Sequence, residues 1–354
     1  MTAHHLVGTL VVLSSVMACN VSAQAPRRVI VYVGDGVGTG HWTIARWQQE
    51  HLAVDDFPTV GLIDTRNAQG LVTESAAAAT AFAVGERTFA GALGLGPDSL
   101  PRPTALERAR ERGLATGLIT TTSLTDATPA AFCAHYPSRS HLDVARQMAD
   151  QHIDVLLGGG RRVFAYAQMD DSTSALDYLR RRTTYVETAT QLRGLDLDTV
   201  ATLSALLADG DLPLAGARDP SLATLTETAL TLLDRDPEGF FLLVENEETD
   251  TQAHHNEPLP VLAAEMRSLD AAIRVGLDYQ HRHPETLLLV LGDHETGGMT
   301  IYADSTGAPV IRYGTTGHSA NLVPLFAKGP GAERFGGMQS NDAIGRLLAA
   351  VIGG

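Results

Sequence analysis

Short apolar runs alternate with helix-like segments along the chain from Arg28 to the C-terminus. Runs that are apolar at nearly every position are typical of strands buried on both faces, as in a parallel sheet covered by helices. We therefore predict an α/β fold: a three-layer α/β/α sandwich with a large, mostly parallel central sheet. The predicted strands are VIVYVG (29–34), ATGLITT (115–121), IDVLLGG (153–159), FFLLVE (240–245), TLLLVLG (286–292) and LVPLFAKG (322–329).

Polar and charged residues follow most of these runs, at the point where the predicted strand ends. In open α/β sheets, ligands bind in the crevice beyond the carboxyl ends of the strands, so the residues just after each run should converge in space. Together with a histidine in the later turn YGTTGHS, these residues are Asp35, Asp126, Thr128, Arg139, Glu245, Asp250, His254, Asp293, His294 and His318.

The stretch VTESAAAATAFAVGERT (72–88) predicts a short helix that begins near a serine. Thr73 and Glu74 are of the cap-type and acidic kinds that favour a helix start, the alanine-rich run favours helix, and Gly85 predicts its end. A hydroxyl at Ser75 would then face the unpaired N–H groups and the positive end of the helix dipole, where a phosphate or an alkoxide is stabilised. Ser75 is therefore a candidate nucleophile for attack on a phosphate.

Eight of the converging residues are candidate ligands of divalent metal ions. Zinc takes carboxylate and imidazole ligands, whereas hydroxyl and carboxylate oxygens suit Mg²⁺. The spacing of Asp250 and His254 puts both side chains on one face of a helical turn. The candidate zinc ligands are Asp35, Asp250, His254, Asp293, His294 and His318, and the candidate magnesium ligands are Thr128 and Glu245.

Composition limits the classes of partner. The 354 residues, 44% of them hydrophobic, are enough to bury a large core. A formal net charge of -15 argues against nucleic acid and anionic lipid as partners, because both need a basic surface. An aromatic content of 5% also offers no platform for stacking bases.

The N-terminus predicts export. Residues 6–18 are apolar but too short to span a bilayer, and small residues follow them. Residues 1–25 would be either a signal peptide cleaved after Ala23 or a lipoprotein signal that leaves Cys19 lipidated. The mature protein would then be periplasmic, secreted or membrane-anchored. We predict one domain over 26–354, with a variable excursion near 168–216, and no internal disulfide because Cys133 is the only other cysteine.

Seven stretches resemble the alkaline phosphatases that use zinc and magnesium, and they occur in the order of that family. They are YVGDGVG, VTESAAAATAFAVGERT, TDATPAAFCAHYPSR, LLGGGRRVF, GFFLLVENEETDTQAHH, VLGDHETGG and TTGHSANLVPLFAKGPG. The resemblance implies an alkaline-phosphatase-like fold and a phosphate monoester hydrolase of broad specificity that acts through a phosphoserine intermediate. It also implies small phosphomonoesters as substrates and, as is common in the family, a homodimer.

The same resemblance implies two Zn²⁺ ions and one Mg²⁺ ion. The implied roles are a first zinc held by Asp250, His254 and His318, a second zinc held by Asp35, Asp293 and His294, a magnesium ion held by Asp35, Thr128 and Glu245, a nucleophile at Ser75, and a phosphate-binding guanidinium at Arg139. Asp126 would lie just outside the ligands of the magnesium ion and would contact its waters, without binding the ion directly. His135 lies in a matching stretch, and no catalytic role is assigned to it.

Two positions depart from the usual family pattern. Glu74 stands where aspartate is common, and we expect it still to orient Arg139. Thr251 stands where the family often has a lysine, histidine or tryptophan that reaches the phosphate through water. Because threonine cannot do so, we expect weaker phosphate retention. Glu247, Glu248 and His255 are expected to be solvated neighbours of the site.

Two other functions stay open at this point. A phosphodiesterase or sulfatase of the same superfamily would typically use a threonine or a modified cysteine as nucleophile and would lack the third metal site. A non-catalytic protein could instead capture phosphate or metal on the same scaffold. The presence of Ser75, Arg139 and every implied metal ligand favours the phosphomonoesterase.

Overall fold

The structure is a computed structural model that describes Met1 and residues 26–353. The strands are β1 (Arg28–Gly34), β2 (Thr59–Asp64), β3 (Ala115–Ser123), β4 (Val155–Gly159), β5 (Gln168–Asp170), β6 (Thr173–Ser174), β7 (Thr184–Val186), β8 (Leu203–Leu206), β9 (Phe240–Asn246), β10 (Thr286–Gly292), β11 (Glu295–Thr296), β12 (Thr300–Ala303), β13 (Pro309–Arg312), β14 (His318–Ser319), β15 (Val323–Lys328) and β16 (Gly337–Ser340). The helices are α1 (Thr39–Gln48), α2 (Ser75–Val84), α3 (Ala105–Glu111), α4 (Ala127–Ala131), α5 (His141–Asp150), α6 (Arg161–Tyr166), α7 (Ala175–Arg182), α8 (Ala189–Arg193), α9 (Leu222–Leu233), α10 (Glu248–His254), α11 (Leu259–Arg282) and α12 (Asn341–Gly353).

Ten strands form the central sheet, in the order β16-β2-β15-β10-β1-β9-β3-β4-β8-β7. All six predicted strands are present in it, and the predicted mostly parallel arrangement is confirmed. β15 runs antiparallel to both of its neighbours. The expectation that residues after every predicted strand converge is therefore wrong for β15. Lys328 at its end pairs with Leu288 near the start of β10, so the following residue lies at the opposite edge of the sheet.

Helices cover both faces of the sheet, which confirms the three-layer α/β/α sandwich. Alternate residues of β1 point to opposite faces, as strand geometry requires. Val29, Val31 and Val33 pack in one core, with α2, α3, α5, α7 and α12. Ile30 and Tyr32 pack in the other core, with α1, α9 and α11. Burial on both sides explains why the central strands are apolar at almost every position.

The excursion near 168–216 is partly helical, with α7 and α8, and its strands β7 and β8 extend the main sheet beyond β4. Within the described residues, no helix is long and apolar enough to cross a bilayer. The predicted export segment, including Cys19, lies outside the described residues apart from Met1. Export, the single domain over 26–354 and the homodimer stay predictions.

Candidate active site

Ser75 is the first residue of α2, as predicted, and its hydroxyl is almost fully buried. Glu74 caps the helix, because its carboxylate accepts hydrogen bonds from the backbone N–H groups of Ala76 (3.0 Å) and Ala77 (2.8 Å). Gly85 ends the helix with φ of 82°, a left-handed conformation that glycine adopts without strain. Ser75 Oγ lies 3.2 Å from His294 Nε2. The predicted nucleophile is thus held at a helix N-terminus, beside a predicted metal ligand.

The register of three parallel strands brings the acidic residues together. Gly34 at the end of β1 pairs with Gly292 of β10 on one side and with Asn246 of β9 on the other. Asp35 and Asp293 therefore follow directly at the same edge of the sheet. Glu245 of β9 is aligned one residue earlier, opposite Val33.

One cluster consists of Asp250, His254 and His318. Asp250 and His254 lie on α10, and His254 Nε2 is 3.1 Å from Asp250 Oδ2, as the four-residue spacing predicts. His318 on β14 brings its Nε2 to 3.0 Å from His254 Nε2 and 3.7 Å from Asp250 Oδ1. Three potential ligand atoms thus surround one point.

A second cluster adjoins the first. His294 Nε2 lies 3.4 Å from Asp35 Oδ1 and 3.3 Å from Asp293 Oδ2. Its Nδ1 is also 4.0 Å from Asp250 Oδ1, and atoms of Asp35, Asp250 and His294 all lie within 4.8 Å of one another. The two clusters therefore share Asp250 as a neighbour.

The three imidazoles have their Nδ1 atoms turned away from this centre, towards acceptors. His254 Nδ1 lies 2.6 Å from the Thr316 carbonyl oxygen, and His318 Nδ1 lies 2.8 Å from the Thr73 carbonyl oxygen. His294 Nδ1 lies 3.3 Å from Thr296 Oγ1. Since a carbonyl can only accept a hydrogen bond, the proton of the neutral ring belongs on Nδ1 of His254 and His318, which leaves Nε2 free to bind a metal ion. The Thr296 hydroxyl donates its proton to Asp250 Oδ1, so it too can only accept from His294 Nδ1.

The predicted magnesium ligands Thr128 and Glu245 are both buried. Glu245 Oε2 accepts a hydrogen bond from Thr120 Oγ1 at 2.5 Å. Thr128, near the start of α4, is close enough to Glu245 to lower its pKa, yet Thr128 Oγ1 is buried without a hydrogen-bond partner of good geometry. Asp126 is the N-cap residue of α4. Two oxygens in the zinc-type cluster, Asp35 Oδ1 and Asp293 Oδ2, are likewise buried and unpaired.

The crowded carboxylates perturb one another. Burial raises the pKa of Asp293 to about 7 and that of Glu245 to about 8. Burial and the nearby acidic groups also raise the pKa of Asp35. Burial alone would raise the pKa of Asp250 as well, but the hydrogen bond with His254 holds it below its usual range, and the same pairing raises the pKa of His254 to about 9. A site of this kind needs added positive charge to hold all its carboxylates ionised.

Arg139 lies between two acidic side chains. Its guanidinium forms an ion pair with Glu74, and its Nη1 is 3.9 Å from Asp126 Oδ1. Glu74 thus caps α2 and also pairs with Arg139, in line with the expectation that it orients Arg139. The structure brings every predicted site residue to this one edge of the sheet.

The expectation of solvated acidic neighbours is wrong for Glu248, which is buried and accepts a hydrogen bond from Gln252 Nε2 at 2.8 Å. Glu247 is also largely enclosed, and burial raises its pKa to about 9. Thr251 Oγ1 donates to Glu247 Oε1 at 2.6 Å, so this hydroxyl is engaged away from any phosphate. Only the folded structure shows this pairing, because the sequence marks both residues simply as polar. His255 is exposed, as expected.

A family model for alkaline phosphatase matches residues 26–312 of the chain. The chain belongs to the alkaline phosphatase family. Alkaline phosphatase 4 of Bacillus subtilis is 33% identical over 299 residues, a match that covers 78% of this chain and 63% of that relative. The chain therefore spans just under two thirds of the length of that relative.

Two further relatives match over nearly their full length. Streptomycin-6-phosphate phosphatase of Streptomyces griseus is 32% identical, with 94% of this chain and 92% of that protein covered. The solved structure of the alkaline phosphatase from the Antarctic bacterium TAB5 has a TM-score of 0.84 and 31% identity, with 93% of this chain and 99% of that chain covered. A mutant of the TAB5 enzyme was solved with Mg bound in its M3 site. The likeness confirms the alkaline-phosphatase-like fold.

Proposed function

We propose that the protein is a metal-dependent phosphate monoester hydrolase of broad specificity that acts through a phosphoserine intermediate at Ser75. Membership of the alkaline phosphatase family supports the hydrolysis of phosphoric monoesters. The chemistry of the residues around Ser75 supports the dependence on metal.

Unpaired buried oxygens are the observation that carries the proposal. Asp35 Oδ1, Thr128 Oγ1 and Asp293 Oδ2 are buried without hydrogen-bond partners. An unpaired buried polar atom costs free energy, and a buried carboxylate costs more, unless a ligand or ion pairs with it. These oxygens and the three inward-facing imidazole nitrogens form a donor set of the type that zinc and magnesium take, so the residues fit the proposed ions.

The proposed ligand sets follow the three clusters. They are Asp250, His254 and His318 for one Zn²⁺, Asp35, Asp293 and His294 for a second Zn²⁺, and Asp35, Thr128 and Glu245 for Mg²⁺. When bound, these ions would supply the positive charge that lowers the pKa of the serine hydroxyl and of the attacking water and that stabilises the leaving oxygen.

The protein itself supplies the nucleophile and its alignment. In the proposed reaction, the Ser75 hydroxyl gives up its proton to solvent and Oγ attacks phosphorus. The P–O bond to the alcohol breaks with its electron pair on the leaving oxygen, which takes up a proton from solvent, and a phosphoserine forms. Arg139 binds two non-bridging oxygens with its planar fork, and Glu74 holds the guanidinium in place. Water then attacks the phosphoserine and releases phosphate and free Ser75. Positioning and charge supply most of the acceleration in such transfers.

A comparison of two substrates tests this proposal. One sample loaded with zinc and magnesium is assayed on p-nitrophenyl phosphate and on bis-p-nitrophenyl phosphate, beside a chelated aliquot. We expect a strong, chelator-sensitive preference for the monoester, because its dianion carries one more negative charge and one more non-bridging oxygen than the diester. A preference for the diester would move the protein to the phosphodiesterase function. Activity on neither substrate would favour a protein that only binds phosphate or metal.

A further inference from the structure

Arg139 lies in an irregular segment, 132–140, between α4 and α5. Its position therefore depends on contacts made by the neighbouring residues of that segment. The backbones of Tyr136 and Leu93 exchange two hydrogen bonds, of 2.9 and 3.0 Å, which attach the segment to the loop that follows α2. The same loop supplies Gly91 N–H to the Glu74 carboxylate at 2.9 Å. This loop, 89–94, thus supports both Arg139 and its carboxylate partner.

His135 makes a further link, and both nitrogens of its ring face acceptors. Nδ1 lies 2.8 Å from the Gly94 carbonyl oxygen, in the 89–94 loop. Nε2 lies 3.0 Å from Glu107 Oε1, on α3. A carbonyl oxygen cannot donate a hydrogen bond, and neither can an ionised carboxylate. Both ring nitrogens must then carry a proton, so the geometry describes an imidazolium ion.

Glu107 has the surroundings of a carboxylate and not of a carboxylic acid. Its Oε2 accepts the backbone N–H of Thr104 at 3.0 Å, and its Oε1 also accepts from Gln151 Nε2 at 2.8 Å. Burial would raise the pKa of Glu107, but the hydrogen bonds with His135 and Thr104 lower it to about 2. At His135, the hydrogen bonds with Glu107 and with the Gly94 carbonyl outweigh the effect of burial and raise its pKa.

We infer that His135 is a positioning residue for Arg139: its imidazolium joins α3 to the 89–94 loop and fixes the segment from which Arg139 reaches the phosphate. The inference rests on the proposed function, in which Arg139 binds phosphate. His135 itself touches neither Ser75 nor the proposed metal ligands among its hydrogen-bond partners. Its removal should therefore act on phosphate affinity through Arg139.

A double-mutant cycle tests this coupling, with inorganic phosphate as the probe and its inhibition constant as the readout. The variants of the metal-loaded protein are His135→Asn, Arg139→Ala and the double variant. We expect His135→Asn to weaken phosphate inhibition by about threefold to tenfold when Arg139 is present, and by less than about twofold when it is absent. Equal losses in both backgrounds would mean a general structural role and would overturn the inference.

Controls separate this inference from the proposed function. His152→Asn makes the same substitution at an exposed histidine after α5 and should leave inhibition unchanged. Glu107→Gln keeps an acceptor on α3 but removes the charge, and should reproduce part of the His135→Asn effect. If Arg139→Ala binds phosphate normally, the arginine's proposed role fails and the inference fails with it. If Arg139→Ala weakens phosphate inhibition but His135→Asn leaves it unchanged, the inference alone fails.

The ionisation state has its own measurement, which needs no substrate. Nitrogen-15 NMR of the unmodified protein at neutral pH should show both ring nitrogens of His135 protonated, with assignment by loss of the signals in His135→Asn. A neutral His135 ring under these conditions would overturn the imidazolium link, whatever the kinetics show.

Discussion

At the scale of single residues, several side chains of the candidate site use one polar atom for a hydrogen bond within the protein and leave another facing the proposed metal ion. Asp293 shows this most clearly: its Oδ1 accepts hydrogen bonds from Gly36 N at 3.0 Å and His294 N at 2.9 Å, whereas its Oδ2 makes no hydrogen bond and faces His294 Nε2 at 3.3 Å. His254 and His318 likewise use Nδ1 for backbone carbonyls and turn Nε2 inward. Each side chain is thus fixed by one polar atom and free to bind through another, which pre-organises a metal site.

The sharpest residue-scale prediction concerns Ser75→Ala. If the hydroxyl is the nucleophile, turnover of p-nitrophenyl phosphate should fall by about a thousandfold or more, because no neighbouring group can form the same ester. The metal content, measured by mass spectrometry, should stay close to that of the parent protein. Ser204→Ala is the matched control, since Ser204 is also buried but lies on β8, and its hydroxyl has no partner. Turnover within about tenfold of the parent would exclude Ser75 as nucleophile.

At the scale of secondary structure, the placement of Ser75 depends on how closely α2 packs against α12. Every residue of α2 is buried, and most of them are alanine. A Cβ atom built on Gly345 of α12 would lie 2.1 Å from the Ala81 carbonyl oxygen and 2.8 Å from the Gly85 nitrogen. Both are backbone atoms, which cannot yield unless one helix moves. The small residues of α2 and the glycine of α12 thus form one contact surface.

Gly345→Ala should therefore destabilise the fold. In an isolated helix this change is worth about 1 kcal/mol in favour of alanine, but overpacking costs about 1–3 kcal/mol, and here the added carbon meets backbone atoms at the end of α2. Because backbone atoms cannot move aside, the cost should lie at the upper end of that range, which leaves a net loss of about 2 kcal/mol, seen as a lower denaturation midpoint in urea. Gly353→Ala, in the same helix but with no atom within 4 Å of the added carbon, should leave the midpoint almost unchanged. Equal midpoints for the two variants would contradict this packing argument.

At this scale, the sequence predicted some elements of the fold and missed others. The six long apolar runs predicted the central strands, and the polar residues after them predicted the site, because burial and strand ends leave strong local patterns. Four strands of the sheet were not predicted, namely β2, β7, β8 and β16. β7, β8 and β16 are short, and β16, GMQS, has little apolar character. The direction of β15 and the contact between His135 and Glu107 depend on tertiary packing. Residues 28 positions apart leave no local signal of such a contact.

At the scale of the whole molecule, the fold brings several carboxylates close together, and bound cations would offset the repulsion between them. Asp35, Glu245, Asp250 and Asp293 are all buried at one edge of the sheet, in a chain whose formal net charge is already -15. Bound cations would stabilise the native state by mass action, since the unfolded chain has no such assembled site. Chelation should accordingly lower the melting temperature. Chelation should also make stability more sensitive to pH.

The sign of that sensitivity follows from the pKa values. In the chelated protein, the pKa is about 7 for Asp293, about 8 for Glu245 and about 9 for His254, each above its unfolded value of about 3.9, 4.3 or 6.5. The native state then binds more protons than the unfolded state, so stability falls as pH rises. His294 acts in the opposite direction, because burial lowers its pKa to about 4, but its contribution is complete above about pH 6.5.

Between about pH 6.5 and 9, the melting temperature of the chelated protein should therefore decrease, by about 5 °C or more. The metal-loaded protein should show a smaller decrease, since ions and not protons would neutralise the carboxylates. Scanning fluorimetry of both forms over this range makes the comparison. Glu245→Gln removes one titrating group, so the melting temperature of the chelated variant should fall less steeply with pH. A chelated protein whose melting temperature rises with pH, or matches the loaded one throughout, would show that these carboxylates do not depend on bound cations.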